Sequence, residues 1–356
     1  MASPQPEIKR SRNVEIEFLR FFLAFAVVLS HSQHIAWKCH LAGGSHAVGA
    51  FFLISGYLMM SQISHSTGRE MSTGSFLLRK IRVFFPEVVI STIIGCTIYF
   101  VASGFDIVHT CGKLGRSFLE NICLLKMTGW FPPCGDVSSA CWYLSSMILA
   151  MAVLYPIVKR RGCHISLIAA AVIIIGYIYH TDGTLAAPYK WVYFTYQGNL
   201  RAFAELVMGM LSYSAAELLR KHVFTRPHTG LMLLVKCILF AVLLAQLFLL
   251  VPSYYCSFDL IAWGFLTLSF SAEQHYPAWL EQLFKFLGRV SLPLFVSHGA
   301  WANFLPLILP QSINPWAAVL VYVALSFLST AAVMVLAKMA RQYMASRTPS
   351  TAAVSR

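Results

Sequence analysis

Long apolar stretches alternate along the chain with short gaps rich in Lys and Arg. Stretches of about 20 residues are long enough to cross a bilayer as helices. They run approximately over 16–36, 47–62, 76–102, 142–158, 165–181, 200–219, 230–251, 255–271, 286–309 and 316–340. Only a helix or a closed barrel satisfies its own backbone in lipid, and runs of this length suit helices. The pattern therefore predicts an all-α fold, a polytopic membrane bundle of about ten transmembrane helices. Residues 1–15 read as a cytoplasmic N-terminal segment, 16–340 as the membrane domain, and 341–356 as a disordered cytoplasmic tail. The longest gap, about 103–141, contains Pro132, Pro133 and several Gly, and reads as an irregular loop able to line or lid a site.

Composition agrees with that reading. Of 356 residues, 58% are apolar and 12% charged, against about 25% charged in soluble proteins. Mean hydropathy is +0.66. The net charge of +13 is placed in the gaps rather than along one soluble face, which argues against a nucleic-acid partner. With the N-terminus inside, the inner gaps hold Arg79, Lys80, Arg82, Lys159, Arg160, Arg161, Arg220, Lys221, Lys285 and Arg289, among others. The outer gaps hold only Lys38, Lys113, Arg116, Lys126, Lys190 and Arg201. Cations collect on the cytoplasmic side, so both termini are expected inside. Lys9, Arg10 and Arg12 precede the first apolar run as in a signal peptide. That run, however, carries Arg20 and His31 with no small-x-small site after it, which favours a retained span.

Cys111, Cys123, Cys134 and Cys141 share the long gap, where four cysteines allow three disulfide pairings. Cys96, Cys163, Cys237 and Cys256 read as small apolar filler.

Ionisable groups inside spans are costly and point to function by default. Arg20 and His31 are eleven residues apart, which at roughly 100° per residue returns to nearly one face, on the order of 16 Å along the axis. Such a stripe suits a pore or tunnel reached from both sides. A snorkelling Arg20 and a His31 bonded to a neighbouring carbonyl would give the same pattern. Arg79 and Arg82, at i and i+3, share a helix face and could clamp a phosphate, or simply anchor the span at the cytoplasmic surface. Arg201 and Glu205, at i and i+4, read as an internal structural pair. His298 reads either as a core histidine or as a second site residue.

Several of these positions resemble the membrane acyltransferase-3 family. The chain is similar to it in the spacing from Arg20 to His31, in Phe51-Phe52-Leu53-Ile54-Ser55-Gly56-Tyr57-Leu58, and in Arg79, Arg82 and Pro86. The resemblance extends to Arg201, Phe203 and Gly209, and to Ser291, Leu294 and His298. It covers nearly the whole chain and implies ten spans in a multi-pass protein of the plasma (bacterial inner) membrane. It also implies transfer of an acyl group, usually acetyl, from cytoplasmic acyl-coenzyme A to a hydroxyl of a cell-envelope glycan or lipid-linked glycan, without a metal. His31 becomes the expected catalytic residue, Arg20 its partner, and Arg79 and Arg82 the residues for the coenzyme A phosphates. Many family members carry a Glu shortly after the Trp that opens the fourth span, whereas Trp142-Tyr143-Leu144-Ser145-Ser146-Met147 has none. A transporter of a small polar molecule is the competing reading, since intramembrane Arg and His also suit a transport path. Acceptor, acyl group and oligomeric state stay open.

Overall fold

The computed structural model describes residues 13–36, 41–65, 71–131, 137, 138, 140–223, 229–249, 257–272, 274–310 and 312–347. Helix α1 (Val14–Ser30) runs directly into a 3-10 turn, His31–His34, and is followed by α2 (Gly44–His65) and α3 (Thr73–Ala102). Then come α4 (Ile107–Ile122), α5 (Cys141–Arg161), α6 (Ile165–Asp182) and a small hairpin of β1 (Trp191–Val192) and β2 (Thr195–Tyr196). The chain continues as α7 (Gln197–His222), α8 (Thr229–Phe248), α9 (Ser257–Ser271), α10 (Ala278–Ile308) and α11 (Pro315–Arg347). Each of the ten expected spans corresponds to one helix, so the fold is an all-α membrane bundle. Among the described residues, seven helices are long and apolar enough to cross a bilayer: α2, α3, α5, α6, α7, α8 and α11. The other three are limited by length or charge. Helix α9 has 15 residues, and α1 and α10 carry ionisable side chains.

Two segments differ from the sequence expectation. The gap at 103–141 is not irregular throughout, because α4 occupies much of it. It escapes a search for spans because its apolar residues form a stripe, not a run. Helix α11 continues past 340 to Arg347; no Gly or Pro stands there to end it, and Arg341 is held by an ion pair with Glu87. Residues 1–12 and 348–356 of the two expected terminal segments lie outside the described residues.

Two parallel helix pairs form the centre. In the first, Glu17 of α1 abuts Gly288 of α10, and His31 lies beside His298, so both helices run in one direction. In the second, Ser45 of α2 meets Arg201 of α7 and Tyr57 meets Tyr213. The α2–α7 crossing is backbone on backbone. A Cβ at Gly56 would stand 2.0 Å from the Leu206 carbonyl oxygen, and one at Gly209 would stand 2.0 Å from that of Leu53. Small residues permit such approach, and dispersion between close backbones replaces the hydrophobic drive that lipid removes. Helices α6 and α8 are peripheral, with 17% of their apolar windows buried against 61% for α2 and α5.

Several polar side chains inside the bundle pair across helices, which lowers the cost of burying them in a low dielectric. Ser212 and Thr267 share a hydrogen bond of 2.9 Å, and Ser297 and Thr330 one of 3.2 Å. The Val296 carbonyl accepts from Ser91 Oγ at 2.6 Å and Ser138 Oγ at 3.3 Å. Lys236, buried in α8, meets Glu15 Oε1 at 2.9 Å, and Tyr276 donates to the same oxygen at 2.7 Å.

Candidate active site

Because α1 and α10 run in parallel, the bundle has a basic end, where both begin, and a histidine end, where His31 and His298 meet. The basic end also receives Lys159, Arg160 and Arg161 from the last turn of α5, and Arg220 and Lys221 from that of α7.

His31 follows the last residue of α1, and its N–H still bonds back to the Val27 carbonyl. The chain then tightens into the 3-10 turn. At three residues per turn, positions i and i+3 eclipse, so His31 and His34 stack with ring centroids 5.3 Å apart and an interplanar angle of 18°. The His298 ring lies on the side of α10, its centroid 5.1 Å from that of His31. His298 is fully buried, and its Nδ1 lies 3.3 Å from the Leu294 carbonyl. A carbonyl only accepts, so Nδ1 carries the proton and donates, leaving Nε2 a bare lone pair. That Nε2 and Nδ1 of His31 are both buried without hydrogen-bond partners. Buried polar nitrogens are usually satisfied, and these two belong to neighbouring rings tilted at 44°.

Among the described residues no carboxylate hydrogen bonds to His31. In the stretch after Trp142, Ser146 of α5 donates through its hydroxyl to Asn199 Oδ1 of α7 at 2.9 Å. The buried acids are engaged elsewhere. Arg201 donates through Nε to Glu205 at 2.9 Å and through Nη1 to Ser45 Oγ and the Leu185 carbonyl, each at 2.9 Å. The expected pair within this span is therefore present, and it ties α7 to α2 and the segment before the hairpin.

Arg20 is partly exposed toward the basic end, with Nη1 3.5 Å from Glu17 Oε2. Gly288 seats that carboxylate, since a Cβ there would stand 2.0 Å from Oε2. Beside Glu17 opens a cavity of ≈ 420 Å³, also lined by Gln282, Lys285 and Arg289. Arg20 lies within electrostatic reach of Lys80 and of Tyr143. The Tyr143 hydroxyl is 3.1 Å from Ser55 Oγ, and its ring is 5.5 Å from Phe295, whose ring is 6.2 Å from His298. An aromatic and hydroxyl-bearing stretch thus lies between Arg20 and the histidines.

Arg79 and Arg82 are both exposed on α3. Lys80 takes the inward face, with Nζ 5.6 Å from the centre of the Phe76 ring. The structure therefore brings His31 together with His298, and turns Lys80 inward, while Arg79 and Arg82 form an outlying basic pair. The inward turn of Lys80 has a readable signal, for it stands four residues from each of Phe76 and Phe84, both buried. His298 has none in spacing alone, because its partner is on another helix. Of the cysteines in the long gap, Cys111, Cys123 and Cys141 are free, and pairings that involve Cys134 lie outside the described residues.

Comparison with known proteins gives one result. The family model described as an acyltransferase domain, the third acyltransferase group, matches residues 13–338. No curated protein matches the chain, and no solved structure does. The matched region runs from the N-cap of α1 almost to the end of α11 and includes both ends of the bundle and both histidines. The chain belongs to the acyltransferase-3 family.

Proposed function

We propose that this membrane acyltransferase moves an acyl group, acetyl in the simplest case, from acyl-coenzyme A at the basic end to a hydroxyl at the histidine end. Family membership carries the acyltransferase activity itself. The observation that supports the finer reading is the juxtaposition of His31 with His298, two rings with open nitrogens. Placed in the plasma membrane with the basic end in the cytoplasm, the site faces an envelope glycan or a lipid-linked glycan.

A thioester is already activated, so the protein must chiefly deprotonate the acceptor and orient the partners. In this reading His31 takes the proton of the acceptor hydroxyl. The oxygen forms a bond to the thioester carbonyl carbon, the carbon–sulfur bond breaks, and the departing thiolate receives the proton from His31. His298, with its tautomer fixed by Leu294, packs its ring against that of His31 and limits its rotation. Arg20 and Lys80, with Arg79 and Arg82 at the surface, supply positive charge for the donor phosphates.

The deciding experiment uses sealed vesicles of known orientation and labelled acetyl-coenzyme A. Label supplied on the side of the basic end should appear covalently on a hydroxyl acceptor on the other side. Movement of an unmodified small molecule with no donor requirement would instead favour the transporter.

A further inference from the structure

Helix α4 is built inside out for a water-soluble surface. Among its described side chains, from 110 onward, the buried ones are polar: Thr110, Ser117, Glu120 and Asn121. Its exposed ones are mostly apolar, with Phe118 40% and Leu119 48% accessible and Cys111 and Gly115 also exposed. On a helical projection of about 100° per residue, Cys111, Gly115, Phe118, Leu119 and Ile122 form one stripe. Thr110, Lys113, Arg116, Ser117, Glu120 and Asn121 lie on the opposite side.

The polar side is held by the protein. Arg116 Nε donates to Glu120 at 2.6 Å and its guanidinium lies 5.3 Å from the centre of the Phe131 ring. Ser117 Oγ accepts from the Val137 N–H at 3.4 Å. Most of the apolar side is exposed, as are Val101 at the end of α3, 46% accessible, and Phe105 just beyond it, 62% accessible. The chain reverses between the two helices through Gly104 and Phe105, at φ 68° and 64°. A left-handed phenylalanine is costly, and here it turns its ring outward into the same apolar surface. At 16 residues, α4 is about 24 Å long, too short and too charged to span.

We propose that α4 is an interfacial helix, lying in the plane of the bilayer at the histidine end with the Cys111–Phe118–Leu119 stripe in lipid. Phe and Leu on one face with Lys and Arg on the other match helices that sink into the boundary between headgroups and acyl chains. Exposed Lys113 then faces lipid phosphates. Through Val137 and its neighbour Ser138, which bonds the Val296 carbonyl, this lipid-borne helix is linked to the turn of α10 that carries His298.

The test uses the full-length protein in phosphatidylcholine and phosphatidylglycerol vesicles, with single spin labels at Cys111, Lys113→Cys, Gly115→Cys, Phe118→Cys and Leu119→Cys in an otherwise cysteine-free background. Relative to position 113, positions 111, 115, 118 and 119 should show an oxygen-to-nickel accessibility ratio higher by about threefold or more, as for groups some 5–10 Å below the headgroups. Equal nickel access at all five positions would place the stripe in water and overturn the proposal. Loss of access to both reagents along the stripe would place it against protein, such as a second copy of the chain, and would overturn it equally. Neither outcome depends on the acyl donor or on His31.

Discussion

At the scale of the residue, the proposed chemistry rests on two imidazoles from different elements. His31→Ala removes the base and should lower transfer by roughly 10²–10⁴-fold without reducing the amount of protein in the membrane; a variant with normal turnover would take His31 out of the mechanism. His298→Asn should reduce the maximal rate while leaving the donor concentration for half-saturation nearly unchanged, since His298 orients the base rather than binding the donor. If the two parameters moved together, a purely structural role would explain it better. The cations at the other end carry the opposite signature. Replacing Arg79 and Arg82 with Gln together should weaken donor binding by more than it weakens acceptor binding, and adding Lys80→Gln should deepen the effect. An unchanged donor dependence in the triple variant would count against a phosphate role. The positions of Arg20, His31, Arg79 and Arg82 are legible in the sequence, because charge inside or beside an apolar run is conspicuous. The inward turn of Lys80 follows from the four-residue spacing to Phe76 and Phe84. The approach of His298 does not follow, because nothing local to α10 indicates which helix lies against it.

At the scale of the element, packing depends on small residues where helices cross. Gly56 and Gly209 each face a carbonyl at a distance no Cβ can share. Gly209→Ala should separate α2 from α7 and cost about 1–3 kcal/mol or more, read as a lowered unfolding temperature in detergent. Substitution at Gly176, where a Cβ would meet no other group within 4 Å, is the control and should change little. Helix propensity alone favours Ala over Gly by about 1 kcal/mol, so an unchanged or raised unfolding temperature for Gly209→Ala would show that the crossing does not need its glycine. The sequence indicates close packing near Gly56 but not its partner. It also hides α4, whose apolar residues are too few and too widely spaced to register as a run. Its amphipathic period is present in the sequence, but which face turns outward is decided by what packs against it.

At the scale of the whole molecule, the arrangement is directional. The cations gather where α1, α3 and α10 begin and α5 and α7 end, and His31, His298 and α4 sit at the opposite end. Reporters fused to the two termini should both be cytoplasmic, and an impermeant thiol reagent should reach Lys113→Cys only from the external side. Labelling of that position from the cytoplasmic side would invert the assignment of donor and acceptor faces.

The sequence by itself determined the order of the ten apolar helices, the helical class and the placement of positive charge, because those follow from local hydropathy and from the cost of exposing backbone to lipid. It also determined the family, through motifs in fixed order. The tertiary structure decided which helices are neighbours, and with that the pairing of His31 with His298, the seat of Glu17 against Gly288, and the outward apolar face of α4. Those depend on helix crossings set by shape, and a side chain's partner on a distant helix leaves no period in its own segment.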